Sequence, residues 1–436
     1  MQRRQAGRKT AFEGLLRPFR MCLIIVAALA GAGQLHAREA MSVARWTEDI
    51  AFYQAELEAR HIDLFHAVSR EEFELQLDRL RADLPSLSDA EILAELMRLT
   101  RLVGDGHTSM PLWNTPQQRF PLEFHWIDGK AVITGTSKEH SDLLGAVVER
   151  WNGRPMGEVY DQLAHYVPFV ENKGSEAVRV AQYLNFAMLG QSIGLSDSAQ
   201  NLLIDISHEG EKRAVEVPAI KPEAFRPAIT ARISYRADLS ANPTLIATDG
   251  IRFALLRNAT IGYIQFDHYP SFEEMSRFAD ATTRALDDAG TRNLMIDFRE
   301  NFGGDFFVGL ALAANLITLD KIDWKNGVYV LSSGTTFSAA MSNTAQFSDI
   351  LNARIVGEPT GATPCGYQDM GQFALPNSGH LVTYSKRRLC FADPVDDAIV
   401  PDVRVTTSLQ NYLYGHDPVV AWVIEDIAQR ESDSPD

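Results

Sequence analysis

Ser338 stands in the run Ser332-Ser333-Gly334-Thr335-Thr336-Phe337-Ser338-Ala339-Ala340-Met341, where small residues follow an apolar segment and start a helical one. A serine in such a first turn exposes Oγ beside the Ala339 N–H, so it can attack a carbonyl carbon while backbone amides receive the developing negative charge. The same position suits a helix cap, the commoner use of serine at helix starts, and the residues alone leave both roles open. A second segment, Arg299-Glu300-Asn301-Phe302-Gly303-Gly304-Asp305, carries adjacent glycines, which turn tightly and can present the Gly303 or Gly304 N–H to an anion. It also suits a plain turn into a helix. With neither a Walker pattern nor its lysine, it is not a phosphate loop. The third segment, Gly104-Asp105-Gly106-His107-Thr108, sets a histidine in a glycine-containing turn, where an imidazole can serve as a base near neutral pH. His61 and His66 lack a metal-binding HExxH pattern, and neither a metal nor another cofactor is expected.

These segments need elements to hold them. Residues 43–103 predict three helices from apolar spacing, TEDIAFYQAELEARHIDLF, EEFELQLDRLRADL and DAEILAELMRLTRLV, with Ser88 and Glu91 forming a capping box before the third. Residues 119–221 alternate as short strands (PLEFHWI, KAVITGT, GAVVERWNG, LLIDISH, KRAVEVPA) with helical stretches at MGEVYDQLAHYV and near 176–192. From about 226 the chain alternates apolar strands at 260–267, 292–298, 327–331 and 353–357 with helices at 272–289, 306–317 and 336–347. That order predicts an α/β domain with a mainly parallel sheet covered on both faces, whose site lies beyond the carboxyl ends of its strands.

The N-terminus reads as an export signal. Arg3, Arg4, Arg8, Lys9, Arg17 and Arg20 precede the apolar run at 21–32, which is too short to span a bilayer, and Ala37 suits cleavage. An uncleaved anchor is the alternative. Removing residues 1–37 takes away six of the 41 basic and one of the 57 acidic residues, leaving 35 against 56. That balance disfavours nucleic acid and anionic membrane as partners. The mature chain is expected to be periplasmic or secreted, with no integral membrane domain. In an oxidising compartment its two cysteines, Cys365 and Cys390, are candidates for a disulfide.

Taken together, DGHT at 105–108, IGYIQF at 261–266, LMIDFRENFGG at 294–304, TTFSAAM at 335–341, IVGEPTGA at 355–362, FALPNSG at 373–379 and IVPD at 399–402 resemble the tail-specific (carboxy-terminal processing) protease superfamily, peptidase S41. After the signal peptide at 1–37, the resemblance implies an N-terminal helical domain at 38–118, a PDZ-like domain at 119–225 and a catalytic domain at 226–436 with a ClpP/crotonase-like spiral. It implies Ser338 as nucleophile and Ala339 with Gly303 or Gly304 as oxyanion donors. The family's activating lysine segment after GEPT reads Gly361-Ala362-Thr363-Pro364 here, so the tricorn-core-like branch, with His107 as base, is the nearer match. In that branch an acid from the last part of the domain orients the histidine; Asp396 or Asp397 stands near that place, and Asp393 is a further choice. Asp105 is another candidate site residue, and Glu358, in GEPT, could supply charge nearby. Met341 stands where the family usually has glutamate. The implied function is a serine peptidase acting on peptides or unfolded exported proteins. The alternatives are a peptide- or apolar-ligand-binding protein without catalysis, or a serine esterase or amidase.

Overall fold

Apolar residues at helical spacing become three amphipathic helices, Val43–Arg60, Arg70–Asp83 and Asp89–Arg101, the first of which buries Trp46, Ile50, Tyr53 and Leu57 along one stripe. The Ser88–Glu91 capping box is present. In this computed structural model, residues 40–236, 238–392 and 396–433 are described. The signal peptide expected at 1–37 and Asp393 lie outside them. The first helix stops at Arg60 although the apolar pattern continues to Phe65, because His61 is drawn out of it. The backbone there is extended, Nδ1 accepts the Asp63 N–H at 2.9 Å, and Nε2 reaches Asp105.

The β-rich segment forms one antiparallel sheet, with Leu122–Ile127, Lys130–Ser137, Val147–Trp151, Asn201–His208 and Glu211–Pro218 adjacent in that order. The stretch read as one helical run near 176–192 is two helices, Lys173–Tyr183 and Ala187–Ser192. One apolar core joins the N-terminal helices to this sheet, through residues such as Tyr53, Phe73, Leu96, Ile133, Leu202 and Val382. From Ala40 onward the chain packs as one compact unit.

The second sheet is mixed rather than mainly parallel. Val403–Arg404, Arg354–Gly357, Val328–Ser332, Asn293–Asp297 and Ile261–Phe266 pair in parallel, and Ile251–Leu256 and Ile246–Thr248 complete it antiparallel. The departure is local: only residues 257–260 join Ile251–Leu256 to Ile261–Phe266, and so short a connection closes a hairpin and cannot make a parallel crossover. Alternate strand residues enter opposite cores. Ile264, Ile296 and Val330 pack with Phe278, Leu312 and Phe347 on one face, while Tyr263, Met295 and Leu331 pack with Val423 and Ile427 on the other. The result is an α/β protein of several layers in which the turns after Asp297, Ser332 and Gly357 share one edge.

A separate two-stranded ribbon, Cys365–Ala374 with Leu381–Cys390, leaves this region and packs on the N-terminal helices. The disulfide Cys365–Cys390 closes its open end. The ribbon brings the first and last thirds of the chain together, since Thr383 pairs with Ser109.

Candidate active site

Ser338 follows the strand Val328–Ser332 and precedes the helix Ala339–Leu351, so it occupies the N-cap position, but its hydroxyl makes no capping bond. Its backbone is at φ 53° and ψ −124°. For a residue with a Cβ this is a strained conformation costing on the order of 1–3 kcal/mol, tolerable only when the surroundings fix it. They do fix it. Ser333 Oγ donates to Arg299 O at 2.6 Å, Thr336 Oγ1 to Phe298 O at 3.0 Å, and the Phe337 N–H to Asn301 O at 3.0 Å. The serine turn is thereby laced to the neighbouring glycine turn.

The strain aims Ser338 Oγ at His107 Nε2, 2.8 Å away across 231 residues of sequence. His107 is buried and its ring stacks on Phe337 with centroids 5.4 Å apart. Its turn is built on Asp105, whose Oδ1 accepts the N–H groups of His107 and Thr108 at 2.9 and 2.8 Å and the Ser385 hydroxyl at 2.7 Å. Asp105 Oδ2 accepts the His61 Nε2–H at 2.9 Å. Asp105 is therefore a strut for the turn, two bonds removed from the chemistry. Burial alone would raise its carboxyl, but hydrogen bonds from His61, Ser385 and Thr108 outweigh that and hold it at about 2.

The carboxylate against His107 is Glu171. Its Oε1 lies 3.3 Å from His107 Nδ1, and both side chains are almost wholly buried. Neither atom has another partner among the described residues, and the ring N–H is not aligned well enough for a true hydrogen bond. Catalytic contacts are often loose before substrate binds. The other carboxylate oxygen, Oε2, accepts the Thr363 N–H at 2.8 Å. Gly106 explains itself here: a Cβ on it would come within 2.5 Å of Glu171 Cγ and 2.6 Å of the Phe337 ring. Asp396 and Asp397, expected from the resemblance to stand in this place, are instead exposed, and the backbone oxygen of Asp397 accepts from Asn172 Nδ2 at 2.8 Å. Glu171 carried no motif in the sequence; it sits in a loop of the β-rich segment, far from the last part of the chain.

Gly303 lies against the serine turn at φ 106°, where a Cβ would meet Ser338 Cβ at 2.6 Å and Ala339 N at 2.9 Å. Its N–H donates to Asn301 Oδ1 at 2.8 Å, whereas the amides of Gly304 and Ala339 have no protein acceptor among the described residues. Glu358 is held up by burial and touches neither His107 nor Ser338; its backbone braces Ser332. Met341 is fully buried behind the serine turn with Phe169, Phe337 and Ile355, filling space where a glutamate was expected. Lys386 pairs with Asp369 at 3.0 Å, and no lysine contacts Ser338 among the described residues. His61, His66 and Asp105 bring ligand-type atoms within 4.8 Å of one another. His61 Nδ1 already accepts a backbone N–H, so its proton sits on Nε2, directed at Asp105, which makes this cluster a hydrogen-bonded support.

Ser338 opens into a cavity of about 1010 Å³ lined by Trp113, Phe169, Phe302, Phe306, Phe307 and Met370 among others. Trp113 and Phe307 are more than half exposed at its rim. A second cavity of about 890 Å³ shares Trp113, Phe169 and Arg179 with the first.

Against solved structures, mature CPAF in complex with lactacystin superposes with a TM-score of 0.61 at 12% identity, covering 90% of this chain and 99% of that one. The chain has the fold of CPAF. A second structure of mature CPAF gives 0.58 at 12% identity over 87% and 96% of the two chains. The likeness is one of fold, at a sequence identity too low to carry residue roles. Likeness to the photosystem II D1 C-terminal processing protease is weaker, with a TM-score of 0.39 at 14% identity over 85% of this chain and 96% of that one. No protein-family model matches the chain, and no curated protein matches it in sequence. No helix among the described residues is long and apolar enough to cross a membrane.

Replacing Asp105 with asparagine is expected to misplace His107. An asparagine amide would set N–H groups against either the His61 donor or the three donors now on Oδ1. Any reaction that runs through His107 should slow about 100-fold, the scale on which a misplaced reacting group costs rate. The carboxyl falls from 3.8 when free to about 2 when folded, so its contribution is present above the free value and is lost as pH drops toward 2. The stability difference between wild type and Asp105→Asn, on the order of 2 kcal/mol near neutrality, should therefore shrink between pH 5 and 2 in denaturant titrations. A difference independent of pH would contradict this role.

Proposed function

We propose that this chain is an exported serine peptidase of the tail-specific protease superfamily, nearer its His–Ser branch than its Ser–Lys branch. One observation carries the reading: a strained, non-capping Ser338 directed at His107 Nε2 at 2.8 Å. Because a carboxylate only accepts, Glu171 places the imidazole proton on Nδ1 and leaves Nε2 to take the proton from Ser338. Oγ then bonds to the substrate carbonyl carbon, and the carbonyl oxygen becomes an oxyanion facing the Gly304 and Ala339 amides. Collapse breaks the C–N bond while His107 returns the proton to the leaving amine. Water, deprotonated by the same histidine, releases the acyl group and restores Ser338.

The aromatic rim suits an extended peptide with apolar side chains, and the antiparallel sheet of the β-rich segment would serve as the PDZ-like module that gathers it by strand addition. The signal-like N-terminus and the disulfide fit a periplasmic or secreted setting. The test is labelling with a fluorophosphonate, followed by mass spectrometry of the adduct. The expected result is a single covalent phosphonate on Ser338; a folded protein that takes no label, or takes it elsewhere, would overturn the proposal.

A further inference from the structure

The wall between the two cavities holds a guanidinium without a carboxylate. Arg179, on the helix Lys173–Tyr183, lines both. Its Nη1 donates to Gln182 Oε1 at 2.9 Å, its Nε is buried with no acceptor, and Nη2 has none among the described residues. No acidic side chain among the described residues lies within ion-pairing distance of it. Two other enclosed guanidiniums among the described residues carry carboxylates: Arg299 pairs with Asp297 and Asp417 at 2.8 and 2.7 Å, and Arg236 with Asp267 and Asp297 at 2.7 and 3.3 Å. Arg119, which lines the second cavity, donates twice to Asn185 Oδ1. Lys386 and Arg387, which line the first, both pair with Asp369.

Arg179 is also close to the chemistry. Its guanidinium lies 4.0 Å from the centroid of the Phe302 ring and 5.8 Å from that of Phe337, the residues immediately before Gly303 and Ser338. Stacking on Phe302 holds the guanidinium plane beside the site. Burial pulls its pKa down to about 10, with Tyr183 opposing, so it stays charged at neutral pH while being stripped of much of its hydration. An unpaired cation that has lost much of its hydration is costly, and a partner that arrives with the ligand removes that cost.

We infer that Arg179 is a specificity residue that receives a carboxylate of the substrate, beside the scissile bond, through Nη2 and the Nη1 hydrogen that Gln182 does not take. The chemistry is a monoanionic carboxylate, from an aspartate or glutamate side chain or from a free peptide C-terminus. Guanidinium favours such a group geometrically, since its two Nη donors match the two oxygens. This inference rests on the peptidase reading for its biological meaning but not for its test, which needs no turnover.

The test uses full-length mature protein carrying Ser338→Ala, with and without Arg179→Gln or Arg179→Lys. The ligands are fluorescent heptapeptides with one glutamate walked through each position, each made as free acid and as C-terminal amide, and binding is read by fluorescence polarisation. For at least one peptide, neutralising a single carboxylate should weaken binding about tenfold with Arg179 present and have no effect in Arg179→Gln. Arg179→Lys should keep part of the discrimination, which a purely structural role would not. A glutamate-to-glutamine change carrying the effect identifies a side-chain carboxylate, and an acid-to-amide change identifies the C-terminus. If carboxylate neutralisation acts equally in Arg179 and Arg179→Gln proteins of matched melting temperature, or if no peptide shows any carboxylate dependence, the inference is overturned. Carboxylate-dependent binding in a protein that refuses fluorophosphonate would uphold Arg179 and sink the peptidase.

Discussion

Ser338→Ala and His107→Ala are each expected to lower peptide turnover by about 10⁶-fold, and the double variant by no more than either alone. The reason is the 2.8 Å contact: one proton moves between these two atoms, so removing either end removes the whole transfer. A residual rate about 10³–10⁴-fold above water should survive in all three, from binding and from the Gly304 and Ala339 amides, which do not depend on the proton transfer. The alanine at 338 also relieves little strain, because φ 53° is disfavoured for any residue with a Cβ. Ser338→Gly should therefore be more stable than Ser338→Ala while equally inactive, which separates loss of chemistry from loss of fold. The measurement is single-turnover hydrolysis of a fluorogenic peptide, with melting curves for each variant. Single effects that multiply in the double variant would show that the two residues act independently and would contradict a Ser–His unit.

The parts of this arrangement that could be read from sequence are those whose signal is local. A run of small residues after an apolar strand marked Ser338, and paired glycines marked the turn beside it. A histidine between turn residues marked His107. The structure places these three segments together, with the serine outside the helix rather than in its first turn. What sequence did not show is what holds them. The ribbon Cys365–Ala374 and Leu381–Cys390 is rich in polar and charged residues, so it gave no strand signal. Yet its Thr383 and Ser385 bond the turn of Asp105 and Ser109 from over 270 residues away. Likewise, the 257–260 hairpin turn, with three consecutive non-glycine residues at positive φ, carries no Asn-Gly or Asp-Gly signature, and the mixed order of the sheet followed from it. Glu171 is the sharpest case. Nothing about a glutamate before Asn-Lys-Gly predicts that a helix start in the β-rich segment will lay it against a histidine in another layer.

Glu171 is consequently where the next largest loss is expected. Glu171→Gln should cut turnover by about 10⁴-fold, the cost of fixing the wrong tautomer of a catalytic histidine. The direction follows from the second oxygen. The Thr363 N–H donates to Glu171 Oε2 at 2.8 Å and needs an acceptor in that place, so a glutamine would turn its carbonyl oxygen there. Its NH₂ would then face His107 Nδ1, which must accept, and the imidazole proton would move to Nε2. A histidine protonated at Nε2 donates to Ser338 Oγ and cannot take its proton. Substrate affinity should change little, since Glu171 is nearly excluded from solvent and does not line the cavity of Ser338. The loss should thus appear in kcat and not in KM, and ¹⁵N chemical shifts of His107 should report the exchanged tautomer. Asp396→Asn and Asp397→Asn, at exposed positions, should stay within about twofold of wild type, as surface substitutions commonly do. If one of those two instead produced the large loss while Glu171→Gln stayed active, the orienting acid would come from the last part of the chain after all, reaching His107 only when substrate closes the site.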